Sequence, residues 1–239
     1  MDYDRQVKFL GEEGQEKLEE SRVLIVGCGG LGSHVADILA RSGVNLRLVD
    51  DDRVEETNLH RTIFQKKNVG KAKTESLKEI LSDSSNVDIE AHEEKFRREN
   101  GTSLVKDVDV AVDCLDNMNS RLILNRVCLK TKTPLIHGTI QGQKGRTMTF
   151  TFRKGEACLQ CLYQGKEDGS EEEGILGPVA NLVASFQASE AIKLISGDER
   201  LNRSLMVFDL GENKVKKISV DTNKGCEACS SQNRGNRAL

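Results

Sequence analysis

Val23-Leu24-Ile25-Val26-Gly27-Cys28-Gly29-Gly30-Leu31-Gly32 passes from four apolar residues into four glycines within six positions. The apolar quartet reads as a buried strand, and the residues after the glycines read as a helix. A glycine turn between a strand and a helix N-terminus is a cradle for phosphate. Backbone N–H groups converge there, and the helix dipole favours an anion. The next strand, Leu46-Arg47-Leu48-Val49, ends on Asp50, 18 residues beyond Gly32. That is close to the roughly 20-residue offset at which such a turn finds a carboxylate for a ribose hydroxyl. The plainer alternatives are a tight turn without a ligand, and a solvated acid beside Asp51 and Asp52.

Outward from this unit, strands and helices alternate. Helices are expected at 30–42, 71–82 and 120–131, and strands at 46–50, 87–91, 109–114 and 134–137. This alternation implies parallel βαβ units up to about residue 138. Beyond it, 145–153, 205–210 and 214–220 alternate like antiparallel strands, and 178–196 reads as a long helix opened by Pro178. The fold class expected is α/β. It is a Rossmann-like, mostly parallel twisted sheet with helices on both faces, extended by antiparallel strands. The first 20 residues read as a polar arm ending in a short helix over 15–20. The charged stretch 165–177 reads as a loop, and 230–239 as a disordered tail.

Composition narrows the function. The 239 residues suit one large domain, taken as 1–229. Thirty-five basic against 38 acidic side chains give a net charge of −3, so no nucleic-acid partner is expected. No apolar run approaches the roughly 18 residues that span a membrane. The opening residues, Met1-Asp2-Tyr3-Asp4-Arg5, show no apolar signal-peptide segment, and a cytoplasmic location is expected.

The residues that carry chemistry follow the glycine turn. Arg61 and Lys73 are basic groups of the kind that neutralise phosphate, the first as a bidentate fork and the second as a point charge. Asp113 and Asp116 flank the end of the strand at 109–114, and ligands bind at the carboxyl ends of parallel strands. Asp116 there suits a magnesium ion bridging phosphate oxygens. Its alternative is a cap for the helix that starts near Asn119. Seven cysteines include two Cys-x-x-Cys pairs, Cys158 with Cys161 and Cys226 with Cys229. Two pairs from distant segments complete a tetrahedral zinc site that is structural, since no coordination position stays open. A redox pair and an iron–sulfur cluster are the rivals. The four histidines show no ligand spacing, and His137 reads as a packing residue at a strand end.

The set resembles the ThiF/MoeB/HesA family, the relatives of ubiquitin-activating enzymes, over about residues 3–229. Arg5-Gln6 is similar to that family's opening arm, and Gly27 to Gly32 match its G-x-G-G-L-G. Asp50-Asp51-Asp52-Arg53-Val54, Thr57-Asn58-Leu59-His60-Arg61, Val69-Gly70-Lys71-Ala72-Lys73 and Asp113-Cys114-Leu115-Asp116-Asn117 with Arg121 fit its later motifs in order. So do Gly174-Ile175-Leu176-Gly177-Pro178 and both cysteine pairs.

The resemblance implies adenylation of the C-terminal glycine of a small ubiquitin-like sulfur carrier ending in Gly-Gly, with ATP, magnesium and zinc as cofactors. By the same token, Gly27, Gly29, Gly30, Gly32, Asp50, Asp52, Asn58, Arg61, Lys73, Asp116 and Asn117 would hold the nucleotide. Arg61, Lys73 and Asp116 would act in catalysis. Arg5 would reach the phosphates of the other subunit in a homodimer. The carrier's tail would lie under a crossover loop at 164–177.

Thr57 and Thr62 stand where the family usually has Ser and Gln. Ser170, followed by Glu171, Glu172 and Glu173, stands where many relatives carry a cysteine. That departure implies an adenylating enzyme without a covalent cysteine step, served by a separate sulfur donor. The alternatives are an inert subunit or a member activating a carboxylate on tRNA or a small molecule. A Rossmann dehydrogenase would leave Arg61, Lys73, Asp116 and the paired cysteines without roles.

Overall fold

The structure is a computed structural model that describes residues 2–163 and 174–230. Its centre is one eight-stranded sheet. The strands are β1 (Arg22–Val26), β2 (Asn45–Val49), β3 (Ile89–His92), β4 (Val110–Asp113), β5 (Leu135–Gln141), β6 (Lys144–Phe150), β7 (Leu205–Asp209) and β8 (Lys214–Ile218). They lie in the order β3-β2-β1-β4-β5-β6-β7-β8. The first five are parallel to one another, and β6, β7 and β8 add antiparallel. The helices are α1 (Asp4–Glu20), α2 (Gly32–Arg41), α3 (Lys73–Ser82), α4 (Arg98–Val105), α5 (Met118–Thr131), α6 (Leu159–Leu162) and α7 (Gly177–Ser196).

A parallel strand covered on both faces must be apolar throughout. Val23 to Val26 and all of β4 are buried accordingly. Alternate residues then feed two cores. Val23, Ile25, Leu46, Leu48, Val110, Val112 and Ile136 pack with Val35 and Leu39 of α2, Leu77 of α3, and Val183 and Ala188 of α7. Leu24, Val26, Ala111, Leu135, Met148 and Phe150 pack with Leu104 of α4 and with Leu124 and Cys128 of α5. From β1 the chain steps outward to β2 and β3, then returns to place β4 on the other side. The strand order reverses at β1/β4, and a crevice opens there at the carboxyl ends.

The glycine turn is built for close packing. Gly27 has φ +91°, and a Cβ there would approach the Cys114 carbonyl oxygen to 2.5 Å. A Cβ on Gly32 would collide with the Gly27 carbonyl oxygen. That partner is backbone and has no rotamer to retreat into. Gly32→Ala should therefore destabilise the fold by about 1–3 kcal/mol, read as a lower melting temperature. A variant melting like the parent would refute this account of the turn.

Several expected boundaries shift. The arm is helical from Asp4 rather than from 15, kinked at Gly11 (φ 76°, ψ 166°). Only Gly14, Gln15 and Leu18 of α1 are buried, so its polar sequence hid the helix. Helix α4 was not foreshadowed, because Arg98, Glu99, Asn100 and Gly101 precede its buried Leu104 and Val105. Strand β5 runs on to Gln141 because its pairing with β6 reaches Gln141↔Lys144, and β6 stops at Phe150. The expected loop is described only from Gly174 on. Ser170 and Glu171–Glu173 lie outside the described residues, as does the expected tail beyond Ser230.

Candidate active site

A cleft of about 900 Å³ occupies the crevice at the strand ends. Gly27, Gly29, Gly30, Asp50, Asp52, Asn58, Arg61, Lys73, Asp116 and Asn117 all line it. Gly32 lies beneath the turn and Arg5 is exposed on α1; neither lines this chain's cleft.

The glycine turn leaves β1 with Gly27 N–H donating to the Val49 carbonyl (2.9 Å) and enters α2 with Ser33 N–H donating to the Gly29 carbonyl (3.0 Å). Asp50 ties its own strand to the turn. One carboxylate oxygen accepts from Cys28 N–H (2.6 Å) and the other from Asp52 N–H (2.8 Å). Burial pushes its carboxyl up from the ordinary range, opposed by Lys73 and those two N–H groups. Lys73 opens α3 and points back into the cleft. Its Nζ lies 2.8 Å from an Asp52 oxygen and 4.0 Å from one of Asp50. Burial works against its charge, but the two aspartates outweigh burial and raise its pKa. The Asp50-Asp51-Asp52 oxygens are grouped closely enough to hold a cation, and the Lys73 ammonium already supplies one.

Arg61 ends a 3-10 turn, Glu56–Arg61, and donates to the Thr57 carbonyl (2.8 Å). Its side chain packs over the Cα of Gly30. Asn58 is buried and braces that turn by accepting from Glu55 N–H (3.1 Å). Asp116 is exposed on the opposite wall and accepts from the Asn117 amide (3.2 Å). The cap of α5 is Asn117, which accepts from Ser120 N–H (2.9 Å), so Asp116 is left facing the cleft.

Asp113 behaves differently from Asp116. It is fully buried, and its carboxylate takes a hydrogen bond from His137 Nδ1 (2.7 Å). His137 Nε2 is then free to accept from the Tyr163 hydroxyl (2.8 Å). Burial holds His137 below the usual imidazole range, against the pull of Asp113. His137 is thus a satisfied interior residue, as its sequence context suggested, but its chain of bonds ends on a cleft residue. Lys95, Phe96, Met118, Arg121, Arg146 and Tyr163 also line the cleft. No motif singled out Lys95, Phe96, Met118, Arg146 or Tyr163, because their positions depend on loops and on strand register.

The four paired cysteines converge below this wall. Their sulfurs lie 3.9 Å (Cys158–Cys161), 3.7 Å (Cys158–Cys226) and 3.5 Å (Cys161–Cys229) apart, and all four fall within 4.8 Å of one another. Four thiolates about 2.3 Å from a tetrahedral zinc stand about 3.8 Å apart, so the donor set and spacing fit zinc. Cys28, Cys114 and Cys128 are buried, and burial pushes all three thiols up.

A glycine turn at a helix entrance, two cations and carboxylates lining one cleft suit a nucleotide and transfer at its phosphates. The ThiF family model matches residues 3–228, and the chain belongs to that family. It is 34% identical to the sulfur carrier protein ThiS adenylyltransferase of Escherichia coli, over 98% of this chain and 96% of that protein. The molybdopterin-synthase adenylyltransferase of E. coli is also 34% identical, with 95% of each chain covered. By class the protein is an adenylyltransferase. The chain spans about half the length of another relative, the adenylyltransferase and sulfurtransferase MOCS3 of Drosophila willistoni, at 34% identity over 96% of this chain and 53% of that one. Among solved structures, E. coli MccB with ATP superposes with a TM-score of 0.84 at 25% identity, covering 95% of this chain and 74% of that one.

Proposed function

We propose that this enzyme adenylates the C-terminal glycine of a small ubiquitin-like sulfur carrier. The observation that carries the reading is the convergence of Arg61 and Lys73 over the glycine turn, with Asp116 across the cleft. A carboxylate oxygen attacks the α-phosphorus of ATP. The new C–O–P bond forms as the bond to the β-phosphate breaks, and pyrophosphate leaves with the electron pair. No proton has to move, so the protein's work is placement and charge.

In this reading Asp50 holds the ribose, and the N–H groups of Gly29 and Gly30 hold phosphate oxygens, those of Gly27 and Cys28 being engaged by Val49 and Asp50. Arg61, Asn58 and Lys73 follow the charge onto the leaving pyrophosphate. Lys73 exchanges Asp52 for phosphate when the nucleotide enters. Asp116 is the carboxylate that would hold a magnesium ion together with phosphate oxygens, where the metal neutralises charge. Arg5, remote from its own cleft, completes the site of a second copy in a homodimer. Cys158, Cys161, Cys226 and Cys229 hold a structural zinc. Burial of Cys28, Cys114 and Cys128 disfavours the thiolate each would need as a nucleophile, which supports adenylation without a covalent cysteine step.

ATP–pyrophosphate exchange tests this directly. Exchange should appear only with a ThiS-type or MoaD-type carrier ending in Gly-Gly, and removal of that dipeptide should abolish it. Exchange without a carrier, or none with either type despite ATP binding, would overturn the proposal.

A further inference from the structure

Adenylation brings two anions together, yet Arg61 and Lys73 both stand at the phosphate cradle. The facing wall is formed by the ends of β5 and β6, where Arg146 pairs across from Thr139. Arg146 is half-buried and lines the cleft, and its side chain makes no hydrogen bond or ion pair among the described residues. A guanidinium carries five donors, and withdrawing them from water without acceptors is costly. The cleft is where Arg146 can find one.

A second observation concerns what surrounds it. Tyr163 shares this wall, and its hydroxyl is fixed by His137 Nε2 (2.8 Å), which Asp113 fixes in turn (2.7 Å). His137 and Asp113 are both fully buried. Tyr163 also feels the charges of Arg121 and Arg146. Arg121 already donates to the Leu115 carbonyl, so among the described residues Arg146 is the cation of this wall whose side chain has no partner.

We propose that Arg146 seats the terminal carboxylate of the second substrate, with Tyr163, locked by His137 and Asp113, as the positioning residue of that seat. The assignment rests on the adenylation reading. The planar fork of an arginine matches a carboxylate. It offsets repulsion from the triphosphate while the attacking oxygen keeps a lone pair for phosphorus.

The test uses the full chain and whichever carrier type supports exchange, prepared as the free acid and as the C-terminal amide. Wild type should bind the acid more tightly than the amide by about tenfold or more. Arg146→Gln should abolish that preference and raise the KM for carrier by about tenfold, leaving the KM for ATP within about twofold. Arg146→Lys should recover part of the preference. Tyr163→Phe should lose a smaller part. Arg146→Met serves as the second variant should the glutamine one fail to fold. An Arg146→Gln or Arg146→Met enzyme that still prefers the acid overturns the assignment, as does one whose KM for ATP rises as much as that for carrier. Wild type without exchange on either carrier overturns the adenylation reading itself; normal wild-type exchange with an indifferent Arg146 variant overturns only this seat.

Discussion

Lys73→Ala should lower carrier-dependent pyrophosphate exchange by about 10²–10³-fold, the loss expected when one preorganised charge is removed from a developing anion. The fold should survive. Lys73 reaches the cleft from the first turn of α3, and Asp50 would keep its two backbone N–H partners without it. Asp50 is already pushed up by burial and loses a compensating cation in the variant, so ATP binding should weaken as well. Asp116→Ala should give a comparable loss of exchange. Its carboxylate is exposed and accepts from the Asn117 amide at 3.2 Å, so stability should change little. Asp52→Ala is the control. Its side chain is 65% exposed and accepts from Lys73 at 2.8 Å, so its removal frees the lysine. Exchange by Lys73→Ala within threefold of wild type would dismiss Lys73 as a phosphate ligand.

Zinc removal should have the other large effect. Metal analysis should find one zinc per chain, and stripping it should lower the melting temperature by about 10 °C or more, since a structural site contributes several kcal/mol to folding. The Cys226→Ser/Cys229→Ser double variant should behave like the stripped protein. The consequence extends past stability. Cys158 and Cys161 flank Leu159, which is fully buried in the core on the α5 side, and Tyr163 follows two residues later. Loosening this segment should therefore raise the KM for carrier before it affects ATP. A protein that holds no zinc, or whose melting is indifferent to chelation, would exclude the assignment.

The strand-turn-helix unit at 23–42 was legible because its information is local. Four apolar residues running straight into glycines read as a covered strand, and a turn with φ +91° at Gly27 and no room for a Cβ at Gly32 needs glycine. Asp50, Arg61, Lys73 and Asp116 were legible through their order along the chain. Helix α4 was not, since only Gly101, Leu104 and Val105 of its eight residues are buried and they leave no apolar period to read. The sequence could likewise place Asp113 beside Asp116 but could not separate them. Asp113 closes a strand and turns inward to His137, whereas Asp116 lies three residues on, beyond the carboxyl end of β4.

The sequence by itself determined the parallel α/β core, the glycine turn at the helix entrance and the four-cysteine set, because each follows from neighbours within a few residues or from a fixed spacing. Tertiary structure alone decided what meets across the cleft. His137 meets Asp113 only through the register of β5 on β4, and Arg146 faces the cleft only because β6 folds back antiparallel on β5. Tyr163, two residues beyond Cys161, joins them by reaching His137, 26 residues away along the chain. Such contacts depend on pairings between distant segments, which are set by the energy of the whole sheet rather than by any local pattern.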